Sequence, residues 1–165
     1  PERYPRSDRS ATITTPGNMN IREATIDDLP AILALYVQPA IDDGMCLAHD
    51  QAARIFHTMQ TYPCYKLFLA EQDKQIVGTF ALLIMDNLGH LGKPSGLVED
   101  VAVSPAFHRQ GIGREMMRFA MEKCRGYGCY KMVLSSNLVR TTAHAFYESL
   151  GFIRHGHSFV VEFGD

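Results

Sequence analysis

The segment EDVAVSPAFHRQGIGR, residues 99–114, decides the fold of this chain. A strand rich in β-branched residues ends at Val103, and Pro105 prevents it from continuing. A short polar loop then leads through Gly111 and Gly113 into an amphipathic helix. Such a loop can direct successive backbone N–H groups towards one point at the positive end of the helix dipole. This arrangement binds anions, and phosphate is the usual one.

The glycines of this loop do not identify its ligand by themselves. A dinucleotide-binding loop would have a third glycine where this chain has Met116, and no sequence of the GxxxxGK[ST] type is present. Arg109 and Arg114 add planar guanidinium groups that suit phosphate. The sequence therefore leaves two interpretations open, a site for a phosphate-bearing ligand and a purely structural turn.

The composition limits the kinds of partner that this chain can have. Its 165 residues are 46% apolar and 21% charged, and the formal net charge is −2. These values are typical of a globular protein, and they argue against nucleic acid or an anionic membrane as the main partner. No apolar run approaches the roughly 20 residues that span a bilayer. We therefore expect neither a nucleic-acid partner nor a membrane partner.

The cysteines and histidines give no sign of a metal site. The 4 cysteines include no CxxC pair, so reduced thiols and a cytoplasmic location are expected. His155 and His157 could lie on one strand face, but no third ligand is close to them in the sequence. We predict that no metal is bound.

The amino-terminal segment differs in composition from the remainder of the chain. Residues 1–18 are rich in Pro, Arg, Ser and Thr and lack apolar periodicity, so we expect a flexible leader or an expression remnant. Residues 19–165 contain no internal linker and are expected to form a single domain.

Hydrophobic periodicity in residues 19–165 predicts an α+β fold. Two strands joined by the tight turn Asp73-Lys74 predict an antiparallel hairpin. A strand, a helix and another strand come next between residues 97 and 135, which predicts a crossover connection. Strands are expected at 21–24, 64–70, 76–85, 97–103 and 130–135, with one or two closing strands within 152–163. Helices are expected between Thr25 and Pro39 and at 50–59, 111–125 and 141–150.

A further motif lies near the carboxyl end, where the sequence FYESLGF begins at Phe146. Taken alone it is the end of an amphipathic helix, with Tyr147 either a core aromatic residue or a phenol acid. Together with residues 99–114 and the opening IREAT at 21–25, it closely resembles the GNAT superfamily of acyl-CoA-dependent N-acyltransferases. The resemblance covers residues 19–163 and includes three motifs in the family's order.

The resemblance implies the GNAT fold, a mixed and mostly antiparallel sheet of six to seven strands flanked by about four helices. It also implies acetyl-CoA as the acyl donor, with its pyrophosphate in the loop at 104–114. The residues expected to bind the cofactor are Val101, Ala102, Val103, His108, Arg109, Gln110, Gly111, Ile112, Gly113, Arg114, Asn137, His144 and Tyr147.

Two positions depart from the family pattern. The family usually has Arg or Gln where this chain has His108, and a neutral imidazole offers a single N–H and no fixed charge. Many members have Asn where this chain has Arg140, so Asn137 is expected to take over that polar role.

The resemblance further implies acetyl transfer by direct attack of an amine. Glu99 matches the position of the general base in many members, and Tyr147 matches the general acid. Asp100 is expected to face the opposite side of the strand because successive strand residues alternate. Both carboxylates could instead be ordinary solvated or ion-paired groups.

The acceptor is expected to be a primary amine of a small molecule. By resemblance its pocket includes Tyr36, Asp42, Asp43, His49, His90 and Lys93, among which the aspartates could attract a cationic amine. The alternatives are a protein or peptide N-acetyltransferase and a non-catalytic acyl-CoA-binding sensor. A homodimer is possible, because many members pair through their closing strands.

Overall fold

The computed structural model describes residues 13–15, 19–39, 41–161 and 163. The chain divides into two compact units, residues 1–133 and 134–165. Among the described residues, the first unit contains a β-sheet and the helices α1 (Leu29–Tyr36), α2 (His49–Met59) and α3 (Ile112–Gly126), and the second contains α4 (Thr141–Ser149). Most of the predicted leader, residues 1–12 and 16–18, lies outside the described residues.

The sheet is mixed and mostly antiparallel, as predicted. Its strands lie in chain order, and each pair of neighbours is antiparallel except β5 and β6, which are parallel. Helix α3 connects β5 to β6, so the crossover between residues 97 and 135 is confirmed. The strands are β1 (Ile13–Thr15), β2 (Met19–Glu23), β3 (Tyr65–Gln72), β4 (Gln75–Met85), β5 (Ser95–Val103) and β6 (Lys131–Val133).

The predicted closing strands are absent from the described part of the chain. Residues 152–161 and 163 form neither helix nor strand there, and Gly156 has a φ of +91° that interrupts the extended run. A strand needs the backbone of a neighbour, which alternation of apolar residues alone does not supply. Strands β2–β6 were predicted and β1 was not, so the expected count of six to seven strands, which relied on the closing strands, is not confirmed.

One face of the sheet packs against α1 and α2. Cross-strand neighbours share a face, and the register places Leu67 opposite Ala81 and Leu69 opposite Thr79. Both leucines and Ala81 are buried in one cluster with residues of the two helices. The helix residues of this cluster are Leu29, Ile32, Leu33, Ala52 and Phe56. The side chains that strand β5 places on this face therefore lie beside α1.

The other face packs against α3. Phe68 and Phe80 are cross-strand partners, and their ring centroids lie 5.4 Å apart. Phe119 of α3 meets them edge-on at 5.1 Å and 6.4 Å. Offset and edge-to-face arrangements are the favourable ones for aromatic rings. The aromatic trio fixes α3 against the sheet and so fixes the loop that precedes this helix.

An ion-pair cluster anchors the start of α1 to strands β2 and β3. The guanidinium of Arg22 donates to both carboxylate oxygens of Asp28 at 2.8 Å and to Glu71 at 3.1 Å. The backbone N–H of Thr25 also donates to Asp28, at 2.7 Å. The hydrogen bonds from Arg22 lower the pKa of Asp28 to about 2. The turn between β2 and α1 is therefore held by a carboxylate that stays charged in acid.

Gly96 of β5 lies directly beneath α3. A methyl group added at this position would collide with the Sγ of Cys124, a buried residue of that helix. The helix can approach the strand this closely only because residue 96 has no side chain.

We predict that Gly96→Ala lowers the free energy of unfolding by about 1–3 kcal/mol, because the added methyl group overpacks a filled core. Removing the sulfur in the double variant Gly96→Ala/Cys124→Ala should recover part of this loss. Urea denaturation measures both changes. Gly126→Ala is the matched control, since a methyl group there meets no atom within 4 Å. Equal stability of Gly96→Ala and the parent would contradict the prediction.

Candidate functional site

The loop between β5 and α3 has the geometry of an anion site. A single turn at Pro105–Phe107 comes after the strand, and Arg109 and Gly111 then have φ angles of +62° and +85°. No side chain caps the start of α3, so the first backbone N–H groups of this helix are available to a ligand. A methyl group built on Gly111 would meet no atom within 4 Å, which shows open space above the loop. These features fit a bound phosphate group.

His108 participates in this loop in a way that the sequence did not reveal. Its Nε2 lies 3.0 Å from the carbonyl oxygen of Val103. A carbonyl can only accept a hydrogen bond, so Nε2 must carry the proton and donate it. The imidazole therefore closes the loop onto the end of β5, and its Nε2–H is not available to a phosphate.

The two arginines of the loop are exposed side chains. Arg109 and Arg114 take part in none of the ion pairs that the described residues form. Gln110 lies between them and donates from its amide to the carbonyl of Ala106 at 3.3 Å. Both guanidinium groups thus remain available to a negatively charged ligand.

A β-bulge interrupts β5 at Asp100 and Val101. Ala81 pairs with Glu99 and Thr79 pairs with Ala102, so two residues of β5 lie opposite the single residue Phe80. Asp100 adopts a φ of +52°, a conformation that few residues other than glycine adopt in a strand. The bulge includes Val101, the first of the three strand residues expected to bind the cofactor.

The bulge changes the course of β5 between Glu99 and Ala102. Glu99 shares the α1 face with its cross-strand partner Ala81. Burial is the main cause of the raised pKa of the Tyr36 hydroxyl of α1 and of the Tyr65 hydroxyl of β3, and the negative charge of Asp100 adds to both shifts. The extra residue of the bulge breaks strict alternation along β5, and the expectation that Asp100 faces the opposite side from Glu99 stays a prediction.

The two carboxyl groups influence each other. Partial burial is the larger cause of the raised pKa of Glu99, and the negative charge of Asp100 adds to it. Burial also raises the pKa of Asp100, and Asp42 adds repulsion. Asp100 as a whole residue is exposed. Because of these shifts, each group is poised to accept a proton more readily than a free carboxylate.

On the side away from β4, strand β5 pairs with a neighbouring strand along only part of its length. It pairs with β6 at Ser95, Gly96 and Leu97, and in the part of the chain that the structure describes this pairing does not extend to residues 98–103. Backbone groups beyond Leu97, on the side away from β4, are therefore not used in a ladder with β6. Val101, Ala102 and Val103, which were expected to bind the cofactor, lie in this part of the strand.

Three of the expected site residues belong to the second unit. The carbonyl of Asn137 accepts a hydrogen bond from His144 Nε2 at 2.9 Å, and its side chain accepts one from the Val139 N–H at 3.1 Å. The ring of Tyr147 packs against the rings of Phe146 and Phe152, with centroids 5.1 Å and 5.6 Å apart. Burial raises the pKa of the Tyr147 hydroxyl, so this group stays protonated at neutral pH.

The expected acceptor residues are only partly brought together. Tyr36 and Asp42 lie near Asp100, whereas His90 stacks on Tyr130 at 4.0 Å. Tyr65 was missed by sequence reasoning. Its alternation with Leu67 along β3 could have placed it on the α1 face. That step needs the pairing of β3 with β4, and of β4 with β5, which the sequence did not provide.

Two kinds of feature are absent from the described residues. No group of three or more His, Cys, Asp or Glu residues there could hold a metal ion. None of the helices described is long and apolar enough to cross a membrane.

Comparison with known proteins agrees with the family that the sequence motifs indicate. Residues 29–152 match the Acetyltransferase (GNAT) family. A glucosamine 6-phosphate N-acetyltransferase of Trypanosoma brucei brucei is 34% identical over 90 residues, which cover 54% of this chain and 59% of that protein. An aminoalkylphosphonate N-acetyltransferase of Salmonella typhimurium is 27% identical over 134 residues, 80% of this chain and 83% of that protein.

The chain spans between half and three fifths of the length of several curated relatives, including an N-acetyltransferase family 8 member 3 of Rattus norvegicus. A solved structure described as a putative acetyltransferase from Agrobacterium tumefaciens superposes with a TM-score of 0.80 at 32% identity. That likeness covers 87% of this chain and 99% of the other. The motifs, the fold and these matches agree, and the chain belongs to the GNAT acetyltransferase family.

Proposed function

We propose that this protein is an N-acetyltransferase that transfers the acetyl group of acetyl-CoA to a primary amine of a small molecule. The observation that carries the proposal is the partly buried carboxylate of Glu99, which lies at a β-bulge of the strand that leads into an uncapped helix N-terminus. One strand thus supplies both a base and the approach to an anion site. The names of the two relatives, which refer to glucosamine 6-phosphate and to aminoalkylphosphonates, support an amine of a small molecule as the acceptor.

The loop at residues 104–114 fits the pyrophosphate of coenzyme A. Its backbone N–H groups, the open space over Gly111 and the two exposed arginines are the features that such an anion needs. The edge of β5 beyond Leu97, which β6 does not cover, offers backbone groups to an extended amide-bearing arm. Bound acetyl-CoA would supply an activated acyl group with a thiolate as leaving group. By resemblance, Asn137, His144 and Tyr147 complete the set of residues that hold it.

Glu99 is proposed as the general base. An alkylammonium group has a pKa of about 10, so it must lose a proton before its nitrogen can attack. A carboxylate with a raised pKa is a better proton acceptor than a solvated one. Glu99 would take the proton directly or through one water molecule.

Tyr147 is proposed as the general acid, on the basis of its place in the family motif. Its hydroxyl has a raised pKa and keeps its proton at neutral pH, when the departing sulfur needs one. Asp100 is proposed to support Glu99 by keeping its pKa high rather than to act as the base itself.

The proposal is tested by thiol release from acetyl-CoA in the presence of polyamines, amino acids, amino sugars, aminophosphonates and peptides. With the best acceptor, Glu99→Gln and Tyr147→Phe should each lower kcat by about 10²- to 10⁴-fold, because each removes one proton transfer. The KM for acetyl-CoA should change little in Glu99→Gln. Thiol release that no amine stimulates would refute the function, and an unchanged kcat in either variant would refute the role of that residue.

The charge of Asp100 should contribute to the pH at which the enzyme becomes active, beside the larger effect of burial on Glu99. Asp100 raises the pKa of Glu99, so Asp100→Asn removes this repulsion and lowers that pKa. The base then stays deprotonated to a lower pH, and the acidic limb of the kcat/KM profile should move to lower pH. The isosteric change Asp27→Asn, at the exposed start of α1, should leave the limb in place. A limb that stays fixed or moves to higher pH in Asp100→Asn would contradict this prediction.

His108 should act on cofactor affinity through the shape of the loop. His108→Ala removes the hydrogen bond to Val103 and should raise the KM for acetyl-CoA by about three- to tenfold with little change in kcat. In His108→Gln the side-chain amide can donate in place of the imidazole, so the KM should stay close to that of the parent. Initial-rate kinetics separate the two parameters. The idea fails if His108→Ala binds acetyl-CoA as the parent does, or if both variants are equally impaired.

A further inference from the structure

The carboxyl end of α3 brings two cysteines together. The N–H of Cys129 donates to the carbonyl of Cys124 at 2.9 Å, and the N–H of Gly128 donates to the carbonyl of Arg125 at 2.9 Å. Gly128 has a φ of +71°, the left-handed conformation that such a turn requires. These features define a Schellman motif, in which the two residues joined by the outer hydrogen bond commonly have side chains in contact. In this chain both of those residues are cysteines.

The outer hydrogen bond limits the distance between the two cysteines. Standard backbone bond lengths keep the Cα atoms of Cys124 and Cys129 within about 6.8 Å of each other once this N–H and carbonyl are joined. The Cα atoms of a disulfide are usually about 4.4–6.8 Å apart. The backbone of the turn therefore has the dimensions of a disulfide, while both cysteines are free thiols in this structure.

The two cysteines differ in their exposure. Cys124 is buried, and its Sγ lies against Gly96 of β5, where an added methyl group would collide with it. Cys129 is only half-buried and lies where the chain leaves α3 for β6. A small-molecule oxidant therefore reaches Cys129 first. Cys124 is the neighbouring thiol that can then react with it from within the fold.

We propose that Cys124 and Cys129 form a site of reversible oxidation, which a small-molecule disulfide such as oxidised glutathione converts into an internal disulfide. The thiolate of Cys129 attacks one sulfur of the oxidant, forms a mixed disulfide and releases one glutathione thiolate, which takes up the proton that Cys129 lost. Cys124 then loses its proton and attacks the Sγ of Cys129, and the second glutathione leaves with that proton as a thiol. The two cysteines are oxidised, the oxidant is reduced to two thiols, and no other reactant is needed.

The surroundings of the pair make this exchange slow at neutral pH. Burial raises the pKa of Cys124 to about 12 and also raises the pKa of Cys129, which a hydrogen bond from the Cys124 thiol lowers in part. Arg125 favours the thiolate of Cys124, and the nearby Tyr127 hydroxyl, whose own pKa is raised, stays neutral. Only the thiolate attacks, so the rate of oxidation rises by about tenfold for each unit of pH below the pKa of Cys129.

The folded chain incubated with oxidised glutathione tests the proposal, which goes beyond acetyl transfer and does not depend on it. After the remaining thiols are alkylated, trypsin cuts behind Lys123, Arg125 and Lys131, so Cys124 and Cys129 fall in separate peptides that only a disulfide holds together. We expect mass spectrometry to find this linked pair of peptides, in amounts that grow faster at higher pH. Excess reduced glutathione should separate the pair again.

Matched variants distinguish this disulfide from other reactions of the thiols. In Cys129→Ser the linked peptides should be absent, and no intramolecular disulfide should replace them. Cys64→Ser removes the thiol directly before β3 and should leave the linked peptides unchanged. The oxidant concentration is raised until Cys46, which is exposed, is fully modified, so that a lack of reaction at the pair has a meaning.

Three outcomes would overturn the proposal. Cys124 and Cys129 that both remain free thiols while Cys46 is modified would show that the pair is a packing contact only. A stable glutathione adduct on Cys129 without the linked peptides would show that Cys124 does not resolve it. A link between Cys129 and Cys64 in place of the expected one, lost in Cys64→Ser, would assign the oxidation to a different pair.

Discussion

The left-handed backbone of Asp100 is the constraint on which the rest of the site depends. This single residue adds one position to β5 without adding one to β4, and the register of the sheet changes around it. Before the bulge, Glu99 shares the face of α1, and after it Ala102 returns to the same face beside Thr79. Such a conformation is unfavourable for aspartate, so the surrounding sheet must hold it in place. The strain is a local loss of stability at the point where the register of the sheet changes.

The loop between β5 and α3 depends on the same strand. The aromatic trio of Phe68, Phe80 and Phe119 fixes α3 against the sheet, and the glycine beneath α3 lets the helix approach closely. His108 then closes the loop onto the last residue of β5. The proposed base and the proposed anion site are thus parts of one strand–loop–helix element, which is the kind of support that a precise site requires.

Much of this element could be predicted from local sequence signals, and the rest could not. The strand before Pro105, the loop glycines and the helix after them depend on nearby residues, and the structure has all of them. The bulge at Asp100 could not be predicted, because it is set by the register between β4 and β5, which local sequence does not determine. The hydrogen bond of His108 and the position of Tyr65 also depend on tertiary contacts. The prediction of closing strands failed for the same reason, since alternation of apolar residues within 152–163 does not create a pairing partner.

The ion pair between Arg22 and Asp28 gives the molecule an ordered response to acid. The lowered pKa of Asp28 means that its contribution to stability is fully present above its ordinary pKa and is lost as the pH falls through about 2. Glu99 and Asp100 have raised pKa values, so they take up protons first, and their mutual repulsion disappears with their charge. Because the folded state favours the protonated form of these two groups, their titration strengthens folding as the pH falls. Mild acid would therefore remove the repulsion at the bulge while the ion pair between Arg22 and Asp28 still holds.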